Sequence, residues 1–269
     1  MYKLIAIDID GTLLNDRREV TDEVREAIIA AKKQGVKIVL CSGRAVGGVT
    51  LFLEELKLNG DDDYIIALNG ARILKAANNE VIDKRTLGLN DLKDLYALGR
   101  ELDTHTIFFD DTSIYSLHKY IHKYTVQAAF LSQVKLFYCG IDEVADDCDI
   151  SQILFVDDPE RMGTVFASLP DEIKNKYTIV RSTPYYIEFL HPEATKGNAV
   201  KILAEKLGIR REEVMCIGDG GNDLSMIQYA GCGVAMGNAT DELKEHADYI
   251  TLSNNESGVA YAIRKLVLE

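Results

Sequence analysis

The sequence predicts an α/β fold in which a doubly wound, mostly parallel core sheet is interrupted by an inserted α+β domain. Short apolar segments of strand length alternate with amphipathic helical segments towards both ends of the chain. Between about residues 83 and 187, strand-like segments instead follow one another directly. The length of 269 residues exceeds that of a typical single domain, so a core and an insertion can each bury apolar surface.

The N-terminal segments predict a βαβ unit. The apolar residues before Asp8 are typical of a strand that is buried on both faces. The helix predicted over residues 20–33 has Thr21 as its N-cap, and a strand over residues 36–41 follows it. The crossover between these two strands is expected to be right-handed, and a strand over residues 64–68 extends the same sheet.

The later segments complete both parts of the fold. In the insertion, helices are predicted over residues 90–102, 120–130 and 159–168, and strands over 106–109, 113–117, 150–156, 177–181 and 185–190. In the core, helices are predicted over residues 196–207 and 223–229, and strands over 214–217, 233–235 and 249–250. We therefore expect a core of residues 1–82 and 188–269 and an insertion of residues 83–187.

Composition and charge narrow the classes of function. The formal net charge of −13 argues against binding to nucleic acid or to an anionic membrane, because both depend on clustered Lys and Arg. The five cysteines have no CxxC spacing, which argues against a disulfide framework or a structural zinc site. Neither a charged and apolar leader nor an apolar segment of about 20 residues is visible. We expect a soluble, cytoplasmic protein.

The first predicted strand ends in two carboxylates that are one residue apart. Alternation along a strand directs Asp8 and Asp10 to the same side, at the edge where parallel α/β sheets bind ligands. Like charges at such short range require a neutralising cation, which favours Mg²⁺. The alternative is that the two aspartates only end the strand, while Gly11 and Thr12 form a turn.

Three further motifs follow predicted strands or begin predicted helices. Residues 42–44, Ser-Gly-Arg, offer a hydroxyl group and backbone amides that can form an anion-binding turn. Lys196 places a cation at a helix start, where the helix dipole already favours anions, so a nearby phosphoryl group or acidic cluster explains it better. Residues 218–223 supply carboxylate and amide oxygens that suit Mg²⁺, with Ca²⁺ as the alternative.

Two features of the insertion have a structural explanation. His118 and His122 could share one helical face, but no third metal ligand is identifiable, so a structural or solvated role is expected. The aromatic residues are expected to form the core of the insertion rather than a base-stacking surface, because no basic stripe accompanies them. These aromatic residues are Tyr115, Tyr120, Tyr124, Phe130, Phe137 and Tyr138.

The order of the motifs Asp-x-Asp-Gly-Thr, Ser-Gly-Arg, Lys-Gly and Gly-Asp-x-x-Asn-Asp resembles that of the haloacid dehalogenase-like hydrolase superfamily. The resemblance covers essentially the whole chain. The large insertion between the second and third motifs, preceded by Leu-Asn-Gly-Ala at residues 68–71, is similar to the Cof-type branch, which has a large mobile cap. The resemblance implies a Rossmann-like core at residues 1–82 and 188–269 and a cap at residues 83–187.

The resemblance also implies chemical roles. Asp8 is the expected nucleophile on phosphorus, and Asp10 is the expected general acid and then general base. Asp8, Asp219 and the backbone carbonyl of Asp10 are expected to bind Mg²⁺, and Asp223 and Asn222 to orient metal-bound waters and phosphate. The groups expected to hold the phosphoryl oxygens are Ser42, the amides of Ile9 and Gly43, and Lys196. The candidates for substrate contact are Arg44, Asn69 and Tyr185.

The expected activity is Mg²⁺-dependent hydrolysis of phosphomonoesters of small metabolites. The resemblance favours sugar phosphates, with flavin or pyridoxal phosphates as further substrates. Related aspartyl-phosphate ATPases have threonine at the position of Asp10, so the carboxyl group favours turnover by hydrolysis. The alternatives are a phosphomutase and a non-hydrolytic signalling or binding protein that is phosphorylated on Asp8. Neither the preferred metabolite nor the oligomeric state follows from the sequence.

Overall fold

The computed structural model describes residues 1–110 and 112–269. Its strands, in chain order, are β1 (Leu4–Ile7), β2 (Lys37–Cys41), β3 (Tyr64–Ala67), β4 (Arg72–Lys75), β5 (Val81–Lys84), β6 (His105–Phe109), β7 (Ser113–Ser116), β8 (Lys135–Tyr138), β9 (Gln152–Val156), β10 (Thr178–Val180), β11 (Tyr186–Leu190), β12 (Val214–Gly218), β13 (Cys232–Ala235) and β14 (Tyr249–Ile250). Its α-helices are α1 (Asp22–Lys33), α2 (Val46–Thr50), α3 (Leu89–Glu101), α4 (Lys123–Ser132), α5 (Pro159–Ala167), α6 (Asp171–Lys176), α7 (Lys196–Lys206), α8 (Leu224–Tyr229), α9 (Asp241–His246) and α10 (Gly258–Ile263). A π-helical segment, Arg264–Leu268, follows α10.

The described residues separate into two compact units. The first unit comprises Met1–Gly43, Val49–Lys84 and Thr195–Glu269. The second unit comprises Arg44–Gly48 and Arg85–Ala194. The domain boundaries that we drew from the sequence stay a prediction.

The first unit is built on an eight-stranded sheet in the order β14-β13-β12-β1-β2-β3-β4-β5. Neighbouring strands from β14 to β3 are parallel, whereas β4 and β5 are antiparallel to their neighbours. The order runs outwards from β1 to β3 on one side and from β12 to β14 on the other. β1 and β12 therefore meet at the point where the strand order reverses, which is where open α/β sheets bind ligands.

The first βαβ unit has the predicted form. All four residues of β1 are fully buried, as a parallel strand covered on both faces requires. The Thr21 side chain caps α1 by accepting a hydrogen bond from the backbone N–H of Val24, at 3.4 Å. The buried face of α1 consists of Val24, Ala27, Ile28 and Ala31, which lie at helical spacing.

The second unit is built on a six-stranded sheet in the order β10-β11-β9-β6-β7-β8. Its strand pairs are antiparallel except for β7 and β8, which run parallel. One core cluster packs the buried residues of α3 and α5 around the aromatic rings of Phe155 and Phe189, whose centroids are 4.7 Å apart. The unit is thus an α+β arrangement.

The α/β class predicted from the sequence is confirmed, but several elements were not predicted. The strands β4, β5 and β8 were not predicted. β4 offers only two consecutive apolar residues, between Arg72 and Lys75. β5 and β8 are edge strands, and most of their residues are partly or fully exposed. Such strands lack the continuous apolar run by which a buried strand is recognised. The short helices α2, α6, α9 and α10 were also missed, because a helix of five or six residues presents too few turns for a periodic pattern.

The prediction that the aromatic residues of the insertion form its core was wrong for four of the six. Tyr120 and Phe130 are 76% and 73% exposed, and Phe137 and Tyr138 are 45% and 46% exposed. Only Tyr115 and Tyr124 are partly buried against core clusters of the unit. The physical reason is that aliphatic residues, Phe155 and Phe189 already fill the space between the sheet and its helices.

Among the described residues, each helix is too short or too polar to cross a lipid bilayer.

Candidate active site

Four polar segments of the first unit lie at the carboxyl ends of neighbouring parallel strands. Asp8 follows β1, Ser42 follows β2, Asn69 follows β3 and Asp219 follows β12. The register pairs Ile7 of β1 with residues of both β2 and β12, so these strand ends share one edge of the sheet. This edge includes the point where the strand order reverses.

Lys196 lies between two buried carboxylates. Its ammonium nitrogen is 2.5 Å from Asp8 Oδ1 and 2.6 Å from Asp223 Oδ1, and its side chain is 0% exposed. Thr195 caps α7 by accepting a hydrogen bond from the Asn198 N–H at 3.1 Å, which makes Lys196 the first residue of that helix. The sequence predicted that Lys196 faces a phosphoryl group or an acidic cluster, and the structure places it in an acidic cluster.

Close packing of α7 against α8 holds Lys196 in place. A Cβ atom on Gly197 would overlap the backbone carbonyl oxygen of Ser225. The Gly197 N–H donates a hydrogen bond to the Ser225 hydroxyl oxygen at 3.0 Å. Only glycine permits this approach of the two helices.

Burial and like charge shift the pKa values of this cluster. Burial and the charge of Asp223 raise the pKa of Asp8 well above its usual range, and Lys196 offsets only part of this rise. Burial by itself would lower the pKa of Lys196, but the charges of Asp223 and Asp8 raise it above its usual range. The site therefore keeps the Lys196 ammonium group charged and disfavours ionisation of Asp8.

Asp219 lies beside these groups at the end of β12. Burial raises the pKa of Asp219 to about 6, and the charge of Asp223 adds to this rise. A hydrogen bond from the Thr12 hydroxyl group, at 2.7 Å, lowers the pKa and offsets part of the rise. Gly11 has a φ of +82°, and a Cβ atom there would overlap the Asp219 carboxylate. The Asp-Gly-Thr sequence thus allows the turn after β1 to contact the end of β12.

The three carboxylates form a group that fits a hard divalent cation. One oxygen each of Asp8, Asp219 and Asp223 lies within 4.8 Å of the other two. When all three are ionised, the single ammonium group of Lys196 leaves two negative charges uncompensated. Carboxylate oxygens with this surplus charge suit Mg²⁺ or Ca²⁺ better than a metal that prefers nitrogen or sulfur ligands.

Asp223 also organises the loop that follows β12. Its Oδ2 accepts hydrogen bonds from the backbone N–H groups of Asp219 at 3.0 Å and Gly220 at 2.9 Å. Its Oδ1 contacts Lys196. Both oxygens are engaged, which suits the orienting role expected for Asp223.

Asp10 differs from these buried groups because it is exposed. The preceding residue Ile9 is buried, and its carbonyl oxygen accepts a hydrogen bond from the Leu14 N–H at 3.0 Å. Asp10 is not part of the three-carboxylate group found among the described residues. Its predicted contribution of a backbone carbonyl to the metal stays a prediction.

The predicted phosphate-binding residues Ser42, Gly43 and Asn222 meet at Asn69. The Asn69 backbone N–H donates to the Ser42 carbonyl oxygen at 3.0 Å, and Asn222 Nδ2 donates to Asn69 Oδ1 at 3.0 Å. The Asn69 amide group also occupies the space that a Cβ atom on Gly43 would need. The first unit therefore brings together residues from three of its segments.

The other two candidates for substrate contact, Arg44 and Tyr185, belong to the second unit. The Arg44 guanidinium donates to the Gly48 carbonyl oxygen at 3.3 Å. The Tyr185 ring stacks on Tyr124 with a centroid distance of 4.1 Å. Their predicted contact with substrate stays a prediction.

The sequence did not predict the residues that support the loop after β1. Thr12 was considered only as part of a turn, but its hydroxyl group orients Asp219. Asn238 Nδ2 donates to the Gly11 carbonyl oxygen at 2.8 Å. Asn238 has no recognisable signal, since it is more than two hundred residues from Gly11 in the chain and only the fold brings it there.

The second unit contains a histidine with two neighbouring carboxylates. One ligand atom each of His122, Asp157 and Asp158 lies within 4.8 Å of the other two, whereas the sequence indicated no acidic partner. Arg161 and Lys123 already pair with the two carboxylates, at 3.3 Å and 2.6 Å. His122 Nδ1 accepts a hydrogen bond from the N-terminal turn of α4. These contacts agree with a structural role.

Comparisons with known proteins identify the family. A family model described as haloacid dehalogenase-like hydrolase matches residues 5–263. The chain is 54% identical over 268 residues to "Putative phosphatase YxeH" of Bacillus subtilis (strain 168), covering 100% of this chain and 99% of that protein. It is 35% identical over 269 residues to the 5-amino-6-(5-phospho-D-ribitylamino)uracil phosphatase YcsE of the same strain, covering 99% of this chain and 96% of that protein.

A solved structure shares the fold over its whole length. The sugar phosphatase BT4131, of HAD subclass IIB, is similar with a TM-score of 0.82 and 25% identity, covering 99% of this chain and 100% of that chain. The family resemblance stated from the four motifs is thereby confirmed. The chain belongs to the haloacid dehalogenase-like hydrolase family and is a phosphoric monoester hydrolase.

Proposed function

We propose that the protein is a Mg²⁺-dependent phosphatase that hydrolyses phosphomonoesters of small metabolites, above all sugar phosphates, through a phosphoaspartate on Asp8. The observation that carries this proposal is the buried contact of Lys196 with Asp8 and Asp223 at the carboxyl edge of the parallel sheet. A buried ammonium group there can orient the Asp8 carboxylate and stabilise the charge of a phosphoryl group.

In the first half of the proposed reaction, a carboxylate oxygen of Asp8 attacks phosphorus. The bond between phosphorus and the ester oxygen breaks, and Asp10 donates its proton to that oxygen so that the product leaves as an alcohol. The exposure of Asp10 supports this assignment, because a group that exchanges protons with a leaving group needs access to the open side of the site.

In the second half, a water molecule attacks the phosphorus atom of the phosphoaspartate. Asp10, now ionised, accepts a proton from this water, and the bond between phosphorus and the Asp8 oxygen breaks. Inorganic phosphate is released and Asp8 regains its carboxylate. During both halves, hydrogen-bond donors would hold the phosphoryl oxygens, where the charge lies throughout the transfer. The proposed donors are Ser42, the amides of Ile9 and Gly43, Lys196 and Asn222.

The surplus negative charge of the three carboxylates supports a role for Mg²⁺. Asp8 and Asp219 would hold the ion together with the backbone carbonyl of Asp10, while Asp223 would orient its surroundings. When bound, Mg²⁺ supplies positive charge that stabilises the phosphoryl oxygens and lowers the repulsion between the carboxylates. We prefer Mg²⁺ to Ca²⁺ because Mg²⁺ is typically held by few carboxylates together with substrate phosphate.

Similarity to other phosphatases supports the substrate class. BT4131 is described as a sugar phosphatase, and the name of YcsE describes a phosphatase of a phosphorylated D-ribityl compound. Both names describe phosphate esters of polyhydroxylated carbon chains. We also propose that residues 83–187 form the inserted cap and that Arg44 and Tyr185 contribute to the choice of leaving group.

The proposed function is tested by phosphate release from a panel of sugar monophosphates, flavin mononucleotide, pyridoxal phosphate and p-nitrophenyl phosphate. The assay compares Mg²⁺, Ca²⁺ and EDTA for the wild type, for Asp8→Asn and for the control Asp62→Asn. Asp62 belongs to the same unit, is 88% exposed and pairs only loosely with Lys37, at 3.6 Å. We expect Mg²⁺-dependent release that Asp8→Asn abolishes and Asp62→Asn leaves unchanged.

Other outcomes would point elsewhere. A positional isomer of the sugar phosphate without free phosphate would indicate a mutase. A phosphoaspartate that persists for minutes without turnover would indicate a switch. Release that continues in EDTA would contradict the metal requirement, and release by Asp8→Asn at the rate of the wild type would contradict the phosphoaspartate mechanism.

A further inference from the structure

Asn69 lies in a strained turn that directly follows β3. Leu68 and Asn69 both have a φ of 53°, and Gly70 has a φ of 96°, so three consecutive residues occupy the left-handed region. Leucine rarely adopts this conformation, because its Cβ atom then approaches the following carbonyl oxygen. Such strain persists only where surrounding contacts maintain it, and it clusters at functional sites.

Contacts on two sides maintain the turn. The Asn69 N–H donates to the Ser42 carbonyl oxygen at 3.0 Å. On the other side, a Cβ atom on Gly70 would overlap the carbonyl oxygen of Thr195, the residue before Lys196. The turn is therefore packed between the segment after β2 and the first turn of α7.

The Asn69 side chain links two segments of the proposed phosphate site. It is 1% exposed, and its Oδ1 accepts a hydrogen bond from Asn222 Nδ2 at 3.0 Å. A Cβ atom built on Gly43 would lie 3.0 Å from Asn69 Oδ1 and 3.1 Å from its Nδ2, so the amide group occupies the space beside that glycine. The position of the Asn222 amide and the conformation of the turn at Ser42 and Gly43 thus both depend on Asn69.

We propose that Asn69 is a positioning residue of the phosphatase reaction. Its amide group holds Asn222 and the turn at Ser42 and Gly43 in the relative position from which both donate to one phosphoryl group. This inference rests on the proposed function, and it gives Asn69 a role through its neighbours instead of the direct substrate contact expected from the sequence. Without the Asn69 amide, Asn222 loses its acceptor and can rotate away from the phosphoryl oxygens.

The test replaces Asn69 by glycine, which adopts a positive φ without strain and removes the side-chain amide together with its Cβ atom. Asn79→Gly is the matched control, because Asn79 belongs to the same unit, is exposed and has a φ of 58°. Asn222→Ala and the Asn69→Gly/Asn222→Ala double variant complete a thermodynamic cycle. For each protein, kcat and KM for p-nitrophenyl phosphate with Mg²⁺, the inhibition constants of phosphate and orthovanadate, and the melting temperature are measured.

We expect Asn69→Gly to lower kcat/KM and weaken orthovanadate inhibition by about 10- to 100-fold, and the double variant to lose no more than Asn222→Ala alone. Asn79→Gly should leave these constants unchanged. Orthovanadate inhibition of Asn69→Gly equal to that of the wild type would overturn the inference and leave the proposed function intact. A fold loss of kcat/KM in the double variant equal to the product of the two single losses would also overturn the inference and leave the proposed function intact, because Asn69 and Asn222 would then act independently. Absence of turnover by the wild type would overturn the proposed function and this inference with it.

Discussion

Replacement of Lys196 by methionine tests the electrostatic balance of the site. The Lys196 side chain is fully buried, and its nitrogen lies 2.5 Å from Asp8 Oδ1 and 2.6 Å from Asp223 Oδ1. Methionine preserves most of the side-chain volume but removes the charge. Two buried carboxylates then lose the ammonium group that they share.

The magnitude follows from this geometry. Removing one partner of a buried ion pair costs about 3–5 kcal/mol of stability. Because one ammonium group compensates two carboxylates, we expect the upper part of this range at pH 7.5 in the absence of a divalent cation. The cost should decrease at lower pH, since burial and Asp223 already raise the pKa of Asp8 and protonation removes the uncompensated charge.

Urea unfolding in EDTA at pH 7.5 and pH 5 measures this effect. The control is Lys201→Met, which removes an exposed lysine from the same helix, α7. We expect Lys201→Met to change the free energy of unfolding by less than about 0.5 kcal/mol. The reasoning is refuted if Lys196→Met destabilises the protein no more than Lys201→Met at pH 7.5, or if its cost is larger at pH 5 than at pH 7.5.

Three further changes probe the metal site, proton transfer and helix packing. The pKa of Asp219 is raised from 3.8 to about 6 in the folded state. Between these pH values the folded state binds a proton that the unfolded state has lost. The free energy of unfolding therefore falls, by up to about 3 kcal/mol, as the pH rises through this window. Asp219→Asn should remove this part of the pH dependence in EDTA-treated protein. A melting temperature that declines equally with pH in the wild type and in Asp219→Asn would contradict this prediction. Asp10→Asn should slow turnover by about 10²- to 10⁴-fold and let phosphoaspartate accumulate in acid-quenched samples, whereas turnover at the rate of the wild type would exclude Asp10 as the acid and base. Gly197→Ala should lower the melting temperature, because the new Cβ atom would overlap the Ser225 carbonyl oxygen. The control Gly163→Ala lies on an open face of α5 and should raise stability by about 0.5–1 kcal/mol. Equal effects of the two substitutions in calorimetry would refute the packing argument.

Local sequence patterns were sufficient where a helix repeats apolar residues along one face or a strand has a continuous apolar run. The continuous apolar residues of β1 and the helical spacing of Val24, Ala27 and Ile28 in α1 both follow from the face that each element buries. The same patterns failed for β5 and β8, whose exposed residues carry no apolar period. They failed again for the exposed ring of Phe130, because hydrophobic character alone does not determine which residues fill a core.

By itself, the sequence determined the fold class, the family and the chemical groups at the ends of the strands. These properties depend on residue type and short-range spacing, which a single chain displays directly. Only the tertiary structure decided that Lys196 lies between Asp8, 188 residues earlier, and Asp223, 27 residues later. It likewise decided that Asn69 accepts a hydrogen bond from Asn222, across 153 residues. Such contacts depend on the register of β1 with β12 and on the close packing of α7 against α8, and no local pattern encodes the distance between atoms that folding brings together.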